Sequence, residues 1–334
     1  MKKSHCSRSR GICSAAGFTL VELLVVIAII GVLLAILMPM LNKARRKAAI
    51  LACPIAYLGT DRAIHLTDPH GGMDIMVWRP AGGSISAPLW SPNGQRLAVV
   101  WRNILNTRLV VIQPMSGEVR TFPLDSGPEP AGWMDASQVV INYGDHNITY
   151  DADTGAMQKR YNCATYCLHW ASRLTPSQDA WFVAQGHYLP ANIGNEGHER
   201  AIVLARRDIT AKKLIWMEQP YPGKFYNASP HIDPTGDWVA WTRQPDTGNT
   251  GRQIALKRVA DSALIKPELL GGDFQEAMFC DWGEQGQLLA CVKENGKWGL
   301  GVLNREGKLQ RRLEAQINPP STIPPASWRK YGRS

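Results

Sequence analysis

The longest apolar run in the chain lies near its amino terminus. Residues 18–38 read FTLVELLVVIAIIGVLLAILM, in which Glu22 is the single charged residue. At about 1.5 Å of rise per residue, a helix over this run covers the roughly 30 Å core of a bilayer. Residues 40–52 (MLNKARRKAAILA) are rich in good helix formers and extend the helix past the bilayer. The pattern predicts one membrane-spanning helix over residues 18–52.

Residues 55–315 follow another pattern, in which short apolar strands alternate with turn-forming residues and helical periodicity is absent. Five segments share an anchor residue, a turn and an apolar strand, and their anchors are Trp90, Trp133, Trp170, Ile232 and Trp282. Four short strands repeated about every 40–50 residues are typical of an all-β propeller, in which bulky side chains fill the gaps between blades. A generic β-sandwich with coincidental Trp spacing is the alternative.

The two ends of this domain suggest how the ring closes. Residues 55–80 look like a blade without its first strand, and STIPPASW (321–328) is similar to ISAPLW (85–90), the start of a regular repeat. We therefore expect six blades, with the Pro-rich tail 316–334 supplying the missing strand. The composition of this tail also permits disorder.

The start of the apolar run carries a processing motif. The sequence GFTLVE (17–22) follows a short basic leader and opens the long apolar run. This arrangement resembles the cleavage and methylation motif of type IV prepilins and type II secretion pseudopilins, and the resemblance covers residues 1 to about 50. It implies that prepilin peptidase, a membrane aspartic peptidase, cuts between Gly17 and Phe18. The same enzyme then methylates the new amino group of Phe18.

Glu22 is unusual because a carboxylate inside a spanning helix costs on the order of 2–3 kcal/mol. From the residues alone two readings stay open: the α-amino group of a neighbouring subunit neutralises Glu22, or its side chain reaches water at the helix end. The resemblance implies the first reading, with Glu22 as the assembly carboxylate and other pilin or pseudopilin subunits as partners. Pro39 lies where pilin helices commonly kink, because Pro removes a helical hydrogen bond.

The net charge of +9 first suggests a nucleic-acid partner. Residues 1–47 carry +7 of it, in basic clusters on both sides of the apolar run, and the remaining residues carry only +2. Such clusters meet anionic lipid head groups, so we expect inner-membrane lipid and no nucleic acid as a partner. Because basic residues flank the run on both sides, the positive-inside rule sets no orientation. The resemblance implies a cytoplasmic leader and a periplasmic or extracellular propeller.

The familiar catalytic motifs are absent from the sequence. It contains no G-x-S-x-G elbow, Walker loop, H-E-x-x-H pair or dinucleotide fingerprint. We therefore expect no enzymatic activity, no cofactor and no metal. His187, His198 and Glu199 share the loop 187–200, where their irregular spacing favours a solvated insertion over a metal site. That loop and 243–252 occupy the same place in their repeats, so we expect them to form a partner-binding face.

Five cysteines follow the cleavage point, in no C-x-x-C spacing: Cys53, Cys163, Cys167, Cys280 and Cys291. Their odd number and spacing fit neither a zinc site nor a dense disulfide framework. Cys280 and Cys291 flank a predicted hairpin turn. They form either a disulfide, in an oxidising compartment, or two buried thiols.

Two turns add a resemblance for the large domain. The sequences SPNG (91–94) and DPTG (233–236) are similar to turns in the repeats of the periplasmic Tol-system propeller, TolB. The expected function is a membrane-anchored, pilin-like protein of a type IV pilus or type II secretion type system that displays a propeller for protein or ligand binding. The alternative is a tethered binding or sensor propeller whose helix serves only as an anchor. The expected segments are a leader (1–17), a helix (18–52), a propeller (53–315) and the tail (316–334).

Overall fold

The structure of the protein is a computed structural model that describes residues 20–125, 127–143, 146–162, 168–174, 181–187, 200–206, 212–216, 225–245, 251–272, 274–318 and 325–329. The chain divides into two compact units, Met1–Ala48 and Ala49–Ser334.

The single described α-helix, α1, runs from Leu20 to Ala52 and contains Pro39. Its large apolar side chains between Leu20 and Leu41 are exposed, from 74% at Leu20 to 39% at Leu41. Its most apolar 18-residue window has a mean hydropathy of 3.2 and no buried residue, so α1 is long and apolar enough to cross a membrane. The predicted helix is therefore present from Leu20 onward. The helix α1 continues through Pro39, and the kink at this residue stays a prediction.

The second unit is built from short antiparallel strands joined by tight turns. In chain order the strands of its first half are β1 (Ile55–Leu58), β2 (Ile64–Thr67), β3 (Asp74–Trp78), β4 (Ser84–Ile85), β5 (Leu89–Trp90), β6 (Leu97–Arg102), β7 (Thr107–Gln113), β8 (Glu118–Leu124), β9 (Glu129–Trp133), β10 (Gln138–Asn142), β11 (His146–Asp151) and β12 (Met157–Asn162). Those of the second half are β13 (Leu168–Leu174), β14 (Trp181–His187), β15 (Arg200–Arg206), β16 (Lys212–Trp216), β17 (Phe225–Ile232), β18 (Trp238–Pro245), β19 (Gln253–Arg258), β20 (Glu268–Leu270), β21 (Glu276–Trp282), β22 (Leu288–Glu294), β23 (Lys297–Leu303), β24 (Leu309–Arg312) and β25 (Ala326–Trp328).

Successive strands form the sheets of an all-β propeller. Among the described residues, five sheets have four strands each: β9–β12, β13–β16, β17–β20, β21–β24, and the sheet ordered β25-β1-β2-β3. In the last of these, Trp328 pairs with Ile55 and Ala326 with Tyr57. The carboxyl-terminal strand thus completes the sheet of the first three strands.

The prediction of six such blades is not supported, because the strands from Ser84 to Leu124 form a five-stranded sheet. Here both β4 and β5 pair with β6. The interruption lies at Ser86–Pro88, where the Ser86 hydroxyl accepts a hydrogen bond from the Val100 amide at 2.8 Å. Pro88 has no N–H with which to continue the ladder. Within the described part of the chain, the propeller therefore contains five regular four-stranded blades beside this irregular sheet.

The core lies between neighbouring sheets. Central strands such as β6 (LAVVWR) and β22 (LLACVKE) have uninterrupted buried runs, whereas the outer strand β8 alternates between exposed and partly exposed residues. Central strands are covered on both faces, which explains the missing period-two alternation. One cluster, for example, joins Leu256 of β19 to Phe279 of β21 and Leu288 of β22. Packing between sheets, rather than within one, holds this unit together.

The two turns that resemble TolB repeats share a hydrogen-bonding scheme. In the first, the Arg96 amide donates to the Ser91 hydroxyl at 3.0 Å, and Gly94 has φ 66°. In the second, the Trp238 amide donates to Asp233 Oδ1 at 3.1 Å, and Gly236 has φ 84°. A short polar side chain at the first position and a left-handed Gly at the fourth close both turns.

Candidate assembly helix, closure network and propeller surfaces

The predicted cleavage residues Gly17 and Phe18 lie outside the described residues. Glu22 is in the first described turn of α1. A carboxylate there interacts favourably with the partial positive charge of the helix amino terminus. A Cβ added at Gly31 meets no atom within 4 Å. The described part of the chain therefore gives no packing reason for a glycine in mid-helix.

The last residues of α1 belong to the propeller unit. Ile50 is buried among Trp90, Leu97 and other core side chains. The Arg329 guanidinium donates from Nη2 to the carbonyls of Ile50 at 3.1 Å and Leu51 at 2.5 Å. It also stands 5.2 Å from the centre of the Trp90 ring. A cation is favourable here because the terminal carbonyls of a helix carry partial negative charge and lack helical partners.

A buried carboxylate fastens the carboxyl-terminal strand to two neighbouring sheets. Asp281, with no exposed surface, accepts hydrogen bonds from the Trp282 amide and the Trp328 amide, both at 2.8 Å. His231 Nδ1 lies 3.2 Å from Asp281 Oδ1, and the Trp282 indole donates to the His231 carbonyl at 2.8 Å. We call His231, Asp281, Trp282 and Trp328 the closure network, because they join β17, β21 and β25.

A second polar cluster lies on the sheet that contains β1, β2 and β3. His65 is flanked by Asp61, 3.1 Å from Nε2, and Asp74, 3.0 Å from Nδ1. Burial raises the pKa of the Asp61 carboxyl. Hydrogen bonds from Arg79, Ala63 and His65 outweigh burial and lower this pKa below its usual value. Burial raises the pKa of the Tyr57 phenol, which donates to Asp74 at 3.0 Å. Among the described residues, no group of three or more His, Cys, Asp or Glu side chains is arranged to hold a metal ion.

The loops of the predicted partner-binding face fall largely outside the described residues. His198, Glu199 and residues 246–250 are among those not described, so the face stays a prediction. Both loops connect the second and third strands of their sheets, β14 with β15 and β18 with β19. The corresponding hairpin of the five-stranded sheet is described, and it presents Ile104 and Leu105 at 102% and 86% exposure. Asn103 Oδ1 stabilises this tip by accepting a hydrogen bond from the Leu105 amide at 3.0 Å.

A groove of about 570 Å³ lies between the β17–β20 and β21–β24 sheets, lined by Trp238, Leu256, Glu268, Leu269, Leu270, Arg305 and Glu306. The Trp238 ring lies between two guanidinium groups, those of Arg258 at 5.0 Å and Arg305 at 5.7 Å. The groove thus combines an apolar surface with side chains of both charges, since Glu268 and Glu306 line it together with Arg305.

Sequence reasoning missed Arg329, Asp281 and the His65 cluster. Arg329 contacts residues more than 270 positions away, and no spacing rule links such partners. Asp281 had a weak signal, since it immediately precedes the anchor Trp282 of its repeat.

The amino-terminal segment has a match among known families. Residues 13–38 match the prokaryotic N-terminal methylation motif. This match confirms the predicted resemblance: the chain carries a prepilin-type motif on an apolar helix that precedes a propeller. The motif implies processing by prepilin peptidase and a membrane-anchored, single-pass protein.

The propeller resembles solved structures. TolB from Acinetobacter baumannii superposes with a TM-score of 0.60 and 15% identity, over 82% of this chain and 66% of the TolB chain. A chain of the nidogen/laminin complex superposes with a TM-score of 0.57 and 11% identity, over 83% of this chain and 98% of that one. These likenesses show the fold alone, and the chain spans only 66% of TolB's length. A comparison with curated protein sequences finds no significant match.

Proposed function

We propose that this chain is a pilin-like protein matured by prepilin peptidase, which cleaves between Gly17 and Phe18 and methylates the Phe18 amino group. The observation that carries the proposal is the methylation motif, which spans the start of an apolar helix whose most apolar stretch has no buried residue. A helix with this exposed surface needs lipid or other apolar helices around it. The mature protein is then a single-pass protein of the bacterial inner membrane with its propeller on the periplasmic or extracellular side.

Glu22 is proposed as the assembly carboxylate. Phe18 stands four residues before Glu22 in the sequence, and its methylated amino group is proposed to pair with Glu22 of a neighbouring subunit within the membrane. Such pairing with a cation makes a carboxylate inside the membrane less costly. The size of the propeller limits dense packing in a filament, which favours a minor or tip subunit of a type IV pilus or type II secretion type system.

The propeller is proposed as a binding module without catalytic activity. Two features support binding: the exposed apolar tip at Ile104 and Leu105, and the groove around Trp238. Surface loops on a rigid scaffold are common recognition sites, and this tip presents two adjacent exposed aliphatic residues. The predicted loop face, 187–200 and 243–252, connects equivalent strands and belongs to the same proposal.

Mass spectrometry of the intact protein from its native host tests the maturation step. We expect a mature chain that begins at methylated Phe18. A Gly17→Val variant should retain the leader, because the peptidase requires a small residue at the cleavage point. A native protein that begins at Met1, or a soluble species that lacks the apolar helix, contradicts the proposal.

A second candidate function is a tethered propeller that uses α1 only as an anchor, favoured by the size of the propeller. The Glu22→Ala variant separates the two functions. Under the assembly function we expect loss of co-purification with other pilin subunits, while membrane insertion persists. Val25→Ala, in the same apolar segment, is the matched control and should behave as the wild type. If Glu22→Ala co-purifies with the same subunits at wild-type levels, the anchor function is correct.

A further inference from the structure

Two buried sulfur atoms lie close together beside the carboxyl-terminal strand. Sγ of Cys280 on β21 and Sγ of Cys291 on β22 are 3.4 Å apart, and neither residue has exposed surface. Met278, not Cys280, is the register partner of Cys291, and the pairing shifts between Phe279 and Asp281. This bulge turns the Cys280 side chain diagonally toward Cys291. A disulfide needs the sulfurs about 2.05 Å apart, so a small movement suffices.

The neighbourhood favours a specific pair. Cys280 and Cys291 share a core cluster with Ala326 and Trp328 of β25. Cys53, the other described cysteine, is buried in a different cluster, against Ile50 and Trp90. Burial, together with the hydrogen bond between the two thiols, raises the pKa of the Cys291 thiol well above its usual range. The folded pair is therefore a poor nucleophile and is shielded from oxidants.

We propose that Cys280 and Cys291 are a redox modification site that becomes a disulfide while the propeller folds outside the cytoplasm. The inference rests on the proposed extracytoplasmic location, because disulfides persist in such compartments. The oxidant is the disulfide of a thiol–disulfide oxidoreductase. One cysteine thiolate attacks that disulfide, forms a mixed disulfide and releases one oxidoreductase thiol. The thiolate of the second cysteine then attacks the sulfur of the first cysteine in the mixed disulfide, which closes the Cys280–Cys291 bond and releases the other oxidoreductase thiol. The protein loses two electrons and two protons, and the oxidant gains them.

The burial of Cys280 and Cys291 in the folded protein determines when their disulfide can form. In the folded protein no oxidant reaches either sulfur, so the bond has to form before β21 and β22 are covered by β25. The closed loop spans residues 280–291 and contains the turn at Gln285, a non-glycine residue with φ 55°. A bond across this hairpin holds β21 and β22 together next to the site where the propeller closes.

Differential alkylation of the full-length protein in native membranes tests the bond. Free thiols are blocked with N-ethylmaleimide in denaturant, the sample is then reduced, and the newly freed thiols are labelled with iodoacetamide. We expect iodoacetamide on Cys280 and Cys291, and N-ethylmaleimide on Cys53. In the same preparation, protease added to spheroplasts reports the side on which the propeller lies. If protease digests the propeller but both cysteines carry N-ethylmaleimide, the disulfide inference fails while the proposed location stands.

A refolding arm decides the case in which the propeller is protected from protease and the proposed location fails. Full-length protein in detergent is unfolded, reduced and refolded with glutathione disulfide, and the Cys280–Cys291 peptide is sought by mass spectrometry. Its formation supports Cys280 and Cys291 as an oxidisable pair independently of the location, and its absence overturns the inference. Reduction of the bridged protein should lower Tm by about 5 °C. The double variant Cys280→Ala, Cys291→Ala should show no redox-dependent shift, whereas the control Cys53→Ala should keep it.

Discussion

Arg329 shows how a single residue ties distant parts of the chain together. Its side chain is only 3% exposed, although it carries a charge. The charge is tolerated because the guanidinium donates to two carbonyls at the end of α1 and lies over the Trp90 ring. Its own amide donates to the Pro54 carbonyl at 2.7 Å, which extends the pairing of β25 with β1. One residue thus satisfies the helix terminus and anchors the carboxyl-terminal strand.

The Arg329→Ala substitution should lower the free energy of unfolding by about 2–4 kcal/mol, because charge-assisted hydrogen bonds and buried side-chain packing are lost together. The stability of Arg329→Lys should lie between those of the wild type and Arg329→Ala, since lysine keeps the charge but not the forked donors. Chemical denaturation measures the effect. Lys297→Ala, at an exposed position, is the control and should change stability by less than about 0.5 kcal/mol. A wild-type midpoint for Arg329→Ala would contradict this role.

The Cys53 thiol is expected to make the free energy of unfolding depend on pH. Burial and the nearby Asp68 carboxylate raise the pKa of this thiol to about 11, although the Arg329 charge opposes the shift. A raised pKa means that the folded state holds the proton more tightly, so the stabilising contribution is complete below pH 9 and is lost as the pH rises toward 11. Over this range the wild type should lose about 2–3 kcal/mol more stability than Cys53→Ala. Denaturation midpoints at pH 8, 9.5 and 11 measure the difference, and parallel curves for the two proteins would refute it.

Among the structural elements, the short turns between strands are stabilised by polar side chains that accept hydrogen bonds from backbone amides. Asp233 is 1% exposed, and its carboxylate accepts the amides of Asp237 at 2.9 Å and Trp238 at 3.1 Å. The Thr235 hydroxyl donates to its second oxygen at 2.7 Å. Without the carboxylate, the amides of Asp237 and Trp238 would lose their side-chain acceptor at the start of β18.

The Asp233→Ala substitution should therefore destabilise the propeller by about 2–3 kcal/mol. Asp233→Asn keeps Oδ1 and should cost less. Ser91→Ala, at the equivalent position of the β5–β6 turn, removes one acceptor for the Arg96 amide and should cost about 1 kcal/mol. Thermal melts of the three variants give the ranking. Equal losses for Asp233→Ala and Asp233→Asn would show that the side-chain acceptor is not what matters.

At the scale of the whole molecule, strands from opposite ends of the sequence meet in one sheet. The chain enters the propeller unit at Ala49, and its residues 326–328 pair with β1. Trp328 fills the core beside Met278 and Leu289, and the closure network holds its amide. Removing this strand exposes a core face and leaves Asp281 without the Trp328 amide.

A protein truncated after Glu314 should melt about 10 °C or more below the wild type, because it loses a buried Trp together with the strand that carries it. A chain ending at Arg329 keeps β25 and is the matched control, with an expected Tm equal to that of the full chain. Differential scanning calorimetry compares the two. An unchanged Tm after the Glu314 truncation would mean that the tail does not close the propeller.

The sequence alone determined the features that depend on local pattern. A 21-residue apolar run that contains Glu22 predicts the helix, the GFTLVE motif predicts processing, and Trp anchors with turn residues predict an all-β propeller. Such signals are readable because helix length, turn chemistry and strand burial depend on residues near one another in the chain. The blade count was wrong because the interruption at Ser86–Pro88 splits a strand that looks continuous in sequence.

Only the tertiary structure decided which distant groups meet. The pairs Asp281 with Trp328, Arg329 with Ile50, and His65 with Asp74 form because sheets stack and the chain closes on itself, and their sequence separations range from 9 to 279 residues. The bulge at Cys280, which brings two thiols to 3.4 Å, is likewise a product of strand register. Burial makes these polar contacts necessary, because a charge or amide removed from water has to find its partner inside the fold.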